Sequence, residues 1–324
     1  MSLITEKRDV QDQLINYLIG IGWSYLPPQT VVTLRGSDSE PFLPDIARQQ
    51  LIKLNPGLVT EANVEDVLRR LRLVKPNIAG NEAVLNALRG HWTVAHPIEK
   101  REYNLTLIDY ANDNIEANQF HFTQELPFTD YAPHRPDLVL YINGLPLVLI
   151  ENKSPTRKEA ELEAHDQVQR LYTQNIPGLL KFIQFFAACD LRLHYAPTWN
   201  DSLKAFYKWK VDGKDYGLER LSKTMFDRQR LLNILQDYLI FYRADDQTNK
   251  VVLRPHQIRA TERVVKRVVH ALTPQPPLPK LGVGESRSDG GEGRTPSSTR
   301  STMRSVARIW WGRSRYLWVW SSAR

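Results

Sequence analysis

Apolar positions in the first part of the chain recur every three to four residues. Val10, Leu14, Leu18 and Ile21 follow that spacing, and Gly20 and Gly22 close the stretch, so the pattern predicts an amphipathic helix over 6–21. A stretch rich in Pro, Gly and Ser over 27–44 reads as a loop. Two further helical stretches follow near 61–73 and 81–89, the first ending before Lys75-Pro76. From residue 102 the period changes. YNLTLIDY, QFHFTQEL, DLVLYI and LPLVLIENK are short runs of β-branched and aromatic residues parted by Asn, Asp, Gly and Pro, the signature of successive strands. A helix is predicted over 157–173 with Ala160, Ala164, Val168 and Leu171 on one face, then strands at KFIQFFAAC, LRLHYA and AFYKWK, then helices over 226–242 and 255–271. This order predicts an α/β fold in which a mixed β-sheet is flanked by helices on both faces, followed by a helical segment and a disordered tail.

Composition narrows the class. With 324 residues, 42% hydrophobic and 24% charged, the chain has the make-up of a folded protein of about two domains. No apolar run reaches the roughly 18 residues of a membrane span, because LPLVLI stops at Glu151 and FIQFFAAC at Asp190. The opening MSLITEKRDVQDQL is charged and helical rather than a signal peptide, and Cys189, the single cysteine, excludes an internal disulfide or a multi-thiolate metal site. A cytoplasmic protein with no membrane association is expected. The net charge of +7 suggests a nucleic-acid partner, but residues 272–324 hold nine Lys/Arg against three Asp/Glu, so nearly all of the excess lies in that tail. The tail is dense in Pro, Gly, Ser and Arg and carries four of the eight tryptophans, and it reads as a low-complexity, non-native disordered segment.

The chemistry-bearing passage is RPDLVLYINGLPLVLIENKSP, residues 135–155. Its two apolar runs flank Asn143-Gly144, a hairpin signal. Asp137 opens one strand, while Glu151 and Lys153 close the other; being two apart, they leave the same face, and Asn152 leaves the other. Asp137 faces Glu151 only if paired positions sum to an even number centred on residue 144, which predicts a three-residue loop, Asn143-Gly144-Leu145. Two carboxylates so placed make a hard-oxygen site suited to Mg²⁺, which binds few protein ligands and keeps waters. Such a metal polarises a phosphodiester and activates bound water, and a neighbouring ammonium offsets the developing charge. Lys153, Arg157 and Lys158 are placed to touch phosphates or to form a solvated helix start. His91, His96, His121 and His134 lack metal-ligand spacing.

PD, thirteen residues and then ExK resembles the PD-(D/E)xK nuclease motif, and the wider passage is similar to the nuclease domain of the restriction (R) subunit of type I restriction-modification enzymes. The likeness extends to IGWSYLPP, to QFHFTQELPF and to QVQRLYTQNIPGLLKFIQFFAACD, and covers roughly residues 1–245. It implies a restriction-endonuclease-like fold, a DNA endonuclease that is ATP-dependent in the parent protein, Asp137 and Glu151 as Mg²⁺ ligands, and Lys153 as the catalytic lysine. It also implies double-stranded DNA as substrate and methyltransferase (M) and specificity (S) subunits as partners. The family often carries Gln and Tyr four residues apart after the lysine. Here Val168 precedes Tyr172 by four and Gln167 precedes Leu171, so Gln169 and Tyr172, three apart on one helix face, are the accessory pair on offer.

A second block, VVLRPHQIRATERVVKRVV (251–269), resembles the start of the helicase motor of the same subunits, with Gln257 at the adenine-reading position. No GxxxxGK[ST] phosphate loop follows, so ATP is expected to serve the parent family only. The expected organisation is a nuclease domain over 1–245, the start of a truncated helicase over 246–271 and the tail over 272–324. Two other readings stay open: a catalytically inactive remnant or docking module, and a stand-alone repair-type nuclease.

Overall fold

The computed structural model describes residues 7–111, 113–244 and 246–272, which belong to one compact unit. The tail reading for 272–324 falls, but for Leu272, outside the described residues. The chain starts with α1 (Lys7–Gly20), β1 (Ser24–Tyr25), α2 (Pro28–Arg35), α3 (Pro44–Leu54), α4 (Val64–Arg72) and α5 (Ile78–Leu88). A small ribbon of β2 (Thr93–Ala95) and β3 (Glu102–Asn104) leads to β4 (Phe120–Gln124), the pair β5 (Phe128–Thr129) and β6 (Pro133–His134), then β7 (Leu138–Ile142) and β8 (Leu145–Asn152). Next come α6 (Ala160–Asp166), which runs into a π turn over Gln167–Tyr172, the short α7 (Thr173–Asn175) and α8 (Pro177–Leu180), and the strands β9 (Phe185–Cys189), β10 (Leu193–Pro197) and β11 (Tyr207–Lys208). The described chain ends with α9 (Leu218–Met225), α10 (Arg228–Asn233), the hairpin β12 (Leu239–Ala244) and β13 (Gln247–Val252), and α11 (Pro255–Leu272).

The central sheet has seven strands in the order β1-β4-β7-β8-β9-β10-β11, with β1–β4 and β8–β9 parallel and the other pairs antiparallel. It is the mixed sheet flanked by helices that the sequence predicts. One face packs against α1, α4, α5, α9 and α10 through Val10, Leu14, Leu68, Leu85, Leu221 and Leu231. The other packs against α2 and the 168–183 segment through Val31, Val168, Tyr172 and Leu179. Strands buried on both faces read as continuous apolar runs, which explains LPLVLI.

Three predicted elements are corrected. The 27–44 loop contains α2, started by Pro28 in its first turn and ended by Gly36 at φ 71°. YNLTLIDY forms a strand only through Asn104; beyond it the Asn55 side chain takes the place of a ladder partner, donating to the Thr106 carbonyl and accepting from its N–H, both at 2.8 Å. The 226–242 helix ends early, because Leu239 pairs with Val252 and draws the chain into β12.

The β7–β8 hairpin sets the register on which the polar residues depend. Its loop has two residues, not three: Ile142 pairs with Leu145, and Asn143 and Gly144 take φ of 52° and 80°, the positive values of a type I′ turn. Asn143 is also tied down by its side chain, which donates to the Leu107 carbonyl at 2.8 Å and accepts from Gln119 N–H at 2.8 Å. The even-summed register is supplied by a β-bulge instead. Tyr141 pairs with Pro146 but Leu140 pairs with Val148, so Leu147 is one residue too many. Pro146 offers no N–H to the ladder at this point, and the Leu147 carbonyl turns to Gln184 N–H at 2.7 Å. Past the bulge, Val139 pairs with Leu149 and Leu138 with Ile150. The next position sets Asp137 opposite Glu151, the register the motif requires.

At the far end, Lys250 of β13 lies fully buried. Its Nζ donates to Asn81 Oδ1 and the Gln184 carbonyl at 2.5 Å each, and reaches Gln184 Oε1 at 3.1 Å and Thr198 Oγ1 at 3.4 Å. The β12–β13 pair is thereby fastened to α5 and to the end of the β9–β10 unit where Gln184 and Thr198 adjoin.

Two outcomes are expected. A Cβ on Gly144 would sit 2.8 Å from Ala47 N and 2.9 Å from the Leu43 carbonyl at an already positive φ. Gly144→Ala should therefore cost about 2–4 kcal/mol in urea denaturation. Burial pushes Lys250 well below its ordinary 10.5, so between those two values the unfolded chain binds the extra proton. Stability should then rise with pH across that interval, by at most about 1.4 kcal/mol per unit, and Lys250→Met should flatten the rise in urea midpoints measured upward from neutral pH.

Candidate active site

The bulge decides which side of the sheet the polar residues take. Leu145 and Leu147, then Val148 and Ile150, all contribute to the core beneath α1 and α5, so the alternation slips by one residue. Glu151 and Lys153 thereby leave the opposite face, toward the 167–172 turn, as does Asp137, one residue before Leu138. Asp137, Glu151 and Lys153 are buried, at 2%, 0% and 7% exposure. Charged groups this deep persist only where they are bonded or paired.

Glu151 and Lys153 share one hydrogen-bond network, and Asp137 is held beside it by the backbone between them. Asp137 Oδ2 accepts from Asn152 N–H at 2.8 Å, so the carboxylate caps the end of β8. Glu151 Oε1 accepts from the Tyr172 hydroxyl at 2.9 Å, and Oε2 from Gln167 Nε2 at 3.0 Å. Gln167 Oε1 accepts from Lys153 Nζ at 2.5 Å, so a single amide bridges the glutamate and the lysine. Lys153 Nζ also lies 3.4 Å from Glu163 Oε1. The Asn152 side chain leaves the other face, as its position predicts, and finds no hydrogen-bond partner there among the described residues.

Tyr172 carries the electrostatic imprint of this buried, acidic setting. Burial raises its ionisation far above the ordinary value, and the nearby charge of Glu151 and then of Asp137 pushes it the same way. The hydroxyl is therefore a proton donor at any working pH. The ring also meets His134 edge-on, centroids 5.2 Å apart, and the imidazole Nε2 accepts from Asn175 Nδ2 at 2.8 Å. Cys189, which pairs with Asn152, is pushed up to about 12 by burial and is no nucleophile.

Of the accessory pair expected from sequence, Tyr172 lies in this network and Gln169 does not. Gln169 Nε2 donates to the carbonyls of Pro197 and Asn200 at 2.7 and 2.6 Å, and its Oε1 accepts from Asn200 N–H, so it braces the end of β10. Gln167 takes the place assigned to it. The reason is the π turn: with i to i+5 periodicity, residues five apart share a face, as residues four apart do in an α-helix. Gln167 Nε2 is 2.5 Å from the Tyr172 hydroxyl. The signal available in the sequence was the single surplus residue between Gln and Tyr, which a helix accommodates by widening one turn. Gln257 is far less specialised: it lies exposed in the first turn of α11, and its Oε1 accepts from Arg254 N–H at 2.9 Å.

Asp137 and Glu151 offer carboxylate oxygens from adjoining strands, the donor type a hard divalent cation takes alongside retained waters; among the described residues no group of three or more His, Cys, Asp or Glu that could hold a metal ion is found.

Residues 4–203 match the family described as type I restriction enzyme R protein N terminus. The chain belongs to that family. Among relatives, a putative type I restriction enzyme MjaVIIP endonuclease subunit of Methanocaldococcus jannaschii is 34% identical over 52% of this chain and 17% of its own. The MjaVIIIP counterpart from the same organism is 33% identical over 51% of this chain and 16% of its own. The type I restriction enzyme EcoprrI endonuclease subunit of Escherichia coli is 29% identical over 82% of this chain and 83% of its own. The chain thus spans about a sixth of the two archaeal relatives.

Tyr172→Phe removes a donor from a buried carboxylate and should lower stability by about 1–3 kcal/mol in chemical denaturation, with the fold retained by circular dichroism.

Proposed function

We propose that this chain carries a Mg²⁺-dependent endonuclease site that hydrolyses phosphodiester bonds of double-stranded DNA, as the nuclease part of a type I restriction R subunit. The observation that carries the reading is the hydrogen-bonded set of Glu151, Lys153, Gln167 and Tyr172, with the Asp137 carboxylate held beside it by the Asn152 N–H between Glu151 and Lys153. Membership of the R-protein family and likeness to endonuclease subunits support it. On this reading residues 1–245 are the nuclease domain and 246–271 begin a motor segment. M and S subunits are the assembly partners. ATP belongs to the parent proteins, because no GxxxxGK[ST] loop occurs in these 324 residues.

Asp137 and Glu151 would hold the metal. When bound, Mg²⁺ supplies Lewis-acid polarisation of the phosphodiester and activates water. Lys153 presents an ammonium to the charge that builds on the phosphoryl oxygens, a contribution that strengthens where water is excluded. Gln167 holds that ammonium and Glu151 at a fixed separation. Tyr172, always protonated, keeps one Glu151 oxygen directed and prevents the carboxylate from rotating toward the lysine.

Supercoiled plasmid incubated with the purified 324-residue chain and Mg²⁺ tests the reading. Nicking should vanish with a chelator and fall at least about 100-fold in Asp137→Ala and Lys153→Ala, with Gln167→Ala losing about 10-fold or more. Equal cleavage by the parent chain and the Asp137 and Lys153 variants would overturn the site assignment.

A further inference from the structure

At the edge of the network one half-exposed carboxylate stands between the buried lysine and solvent. Glu163 of α6 accepts from Arg157 Nη1 through both oxygens, each at 2.8 Å, while its Oε1 stands 3.4 Å from Lys153 Nζ. Side-chain exposure grades outward, from 9% at Lys153 to 47% at Glu163 and 60% at Arg157, so the three form a path from the buried lysine to solvent. Both α6 and the lysine have a further tie. α6 is already tied to the β9–β10 turn by Glu161, 3.3 Å from Arg192 Nη2, and Lys153 already has Gln167 as its fixed acceptor.

We infer that Glu163 is a placeholder: in the DNA-free chain its carboxylate occupies a subsite for a DNA backbone phosphate, formed by Lys153 and Arg157, and it yields that subsite when the duplex binds. This deepens the nuclease reading and rests on it. A phosphodiester presents two anionic oxygens, as a carboxylate does, and a guanidinium takes either with paired bonds. The exchange is inexpensive for the protein, because an ion pair this open to water contributes only about 0–1 kcal/mol. Glu163 sits just past Glu159, whose φ of 53° marks a sharp turn in the connection from β8, so the carboxylate lies on a short helix beyond a break in the backbone path. In the free state Glu163 also cancels one of two positive charges and keeps the buried ammonium paired until substrate arrives.

The consequence is a signature in salt dependence. In the parent chain the two cations trade a carboxylate for a phosphate, so DNA binding at this subsite releases fewer counterions than the cations alone would. Anisotropy of a labelled duplex in chelator, titrated between about 50 and 200 mM salt, reads the effect apart from cleavage. Glu163→Gln should bind about 2–5-fold tighter, and its plot of log affinity against log salt should steepen by about one. Adding Arg157→Gln, an exposed change, should remove that increment. Unchanged or weaker binding by Glu163→Gln with an unchanged slope overturns the inference and identifies the triad as a plain structural ion pair. Plasmid cleavage dependent on Asp137 alongside that result leaves the nuclease reading intact. The increment in binding without Asp137-dependent cleavage supports the phosphate subsite and overturns the nuclease reading instead.

Discussion

The bulge at Leu147 is the constraint on which the site depends. A strand alternates with a strict period of two, so a hairpin with a two-residue turn and no irregularity would put Leu149 and Glu151 on the same face as Leu145 and Leu147. Glu151 and Lys153 would then enter the apolar core under α1 and α5. One surplus residue reverses this. It turns the acidic and basic side chains toward the helical turn that bonds them, and it aligns Asp137 with Glu151 across the hairpin. The Asn143-Gly144 turn, the absent donor at Pro146 and the redirected Leu147 carbonyl all serve that one displacement.

The π turn over Gln167–Tyr172 is its counterpart on the helical side. Both devices insert one residue into a regular element and change which face the following side chains take. Together they let two elements of ordinary geometry present five polar side chains to one another inside a protein interior. The cost of burying them is offset because nearly every acceptor there has a donor: Gln167 alone satisfies Glu151, Tyr172 and Lys153. Amides suit this task, since one group both donates and accepts without adding charge.

Beyond the site, Lys250 does for the far end of the sheet what Gln167 does for the motif. One buried amine gathers oxygens from α5, from the segment before β9 and from the residue after β10. The β12–β13 hairpin is therefore part of the folded unit, and α11 leaves from a fixed point, with Tyr195 donating to the Leu253 carbonyl at 2.7 Å.

Much of this was legible in the chain itself. Continuous apolar runs ending in Asp, Glu and Lys announce strands buried on both faces with charged tips. Asn-Gly announces the hairpin, and the spacing of Glu151 and Lys153 places both on one face. These are local properties, set by backbone sterics and side-chain period, and they need no partner to be read. The sequence alone also required an even-summed register for Asp137 to meet Glu151, but it assigned that register to a three-residue loop, whereas a bulge supplies it. That choice was made by the packing of Leu145, Leu147, Val148 and Ile150 in one core and by the backbone of α3 pressed against Gly144. The exchange of Gln169 for Gln167 was decided in the same way. Helix period depends on where a turn widens, and a turn widens where tertiary partners, here Glu151 on one side and Asn200 on the other, reward the extra residue more than a regular hydrogen-bond ladder would.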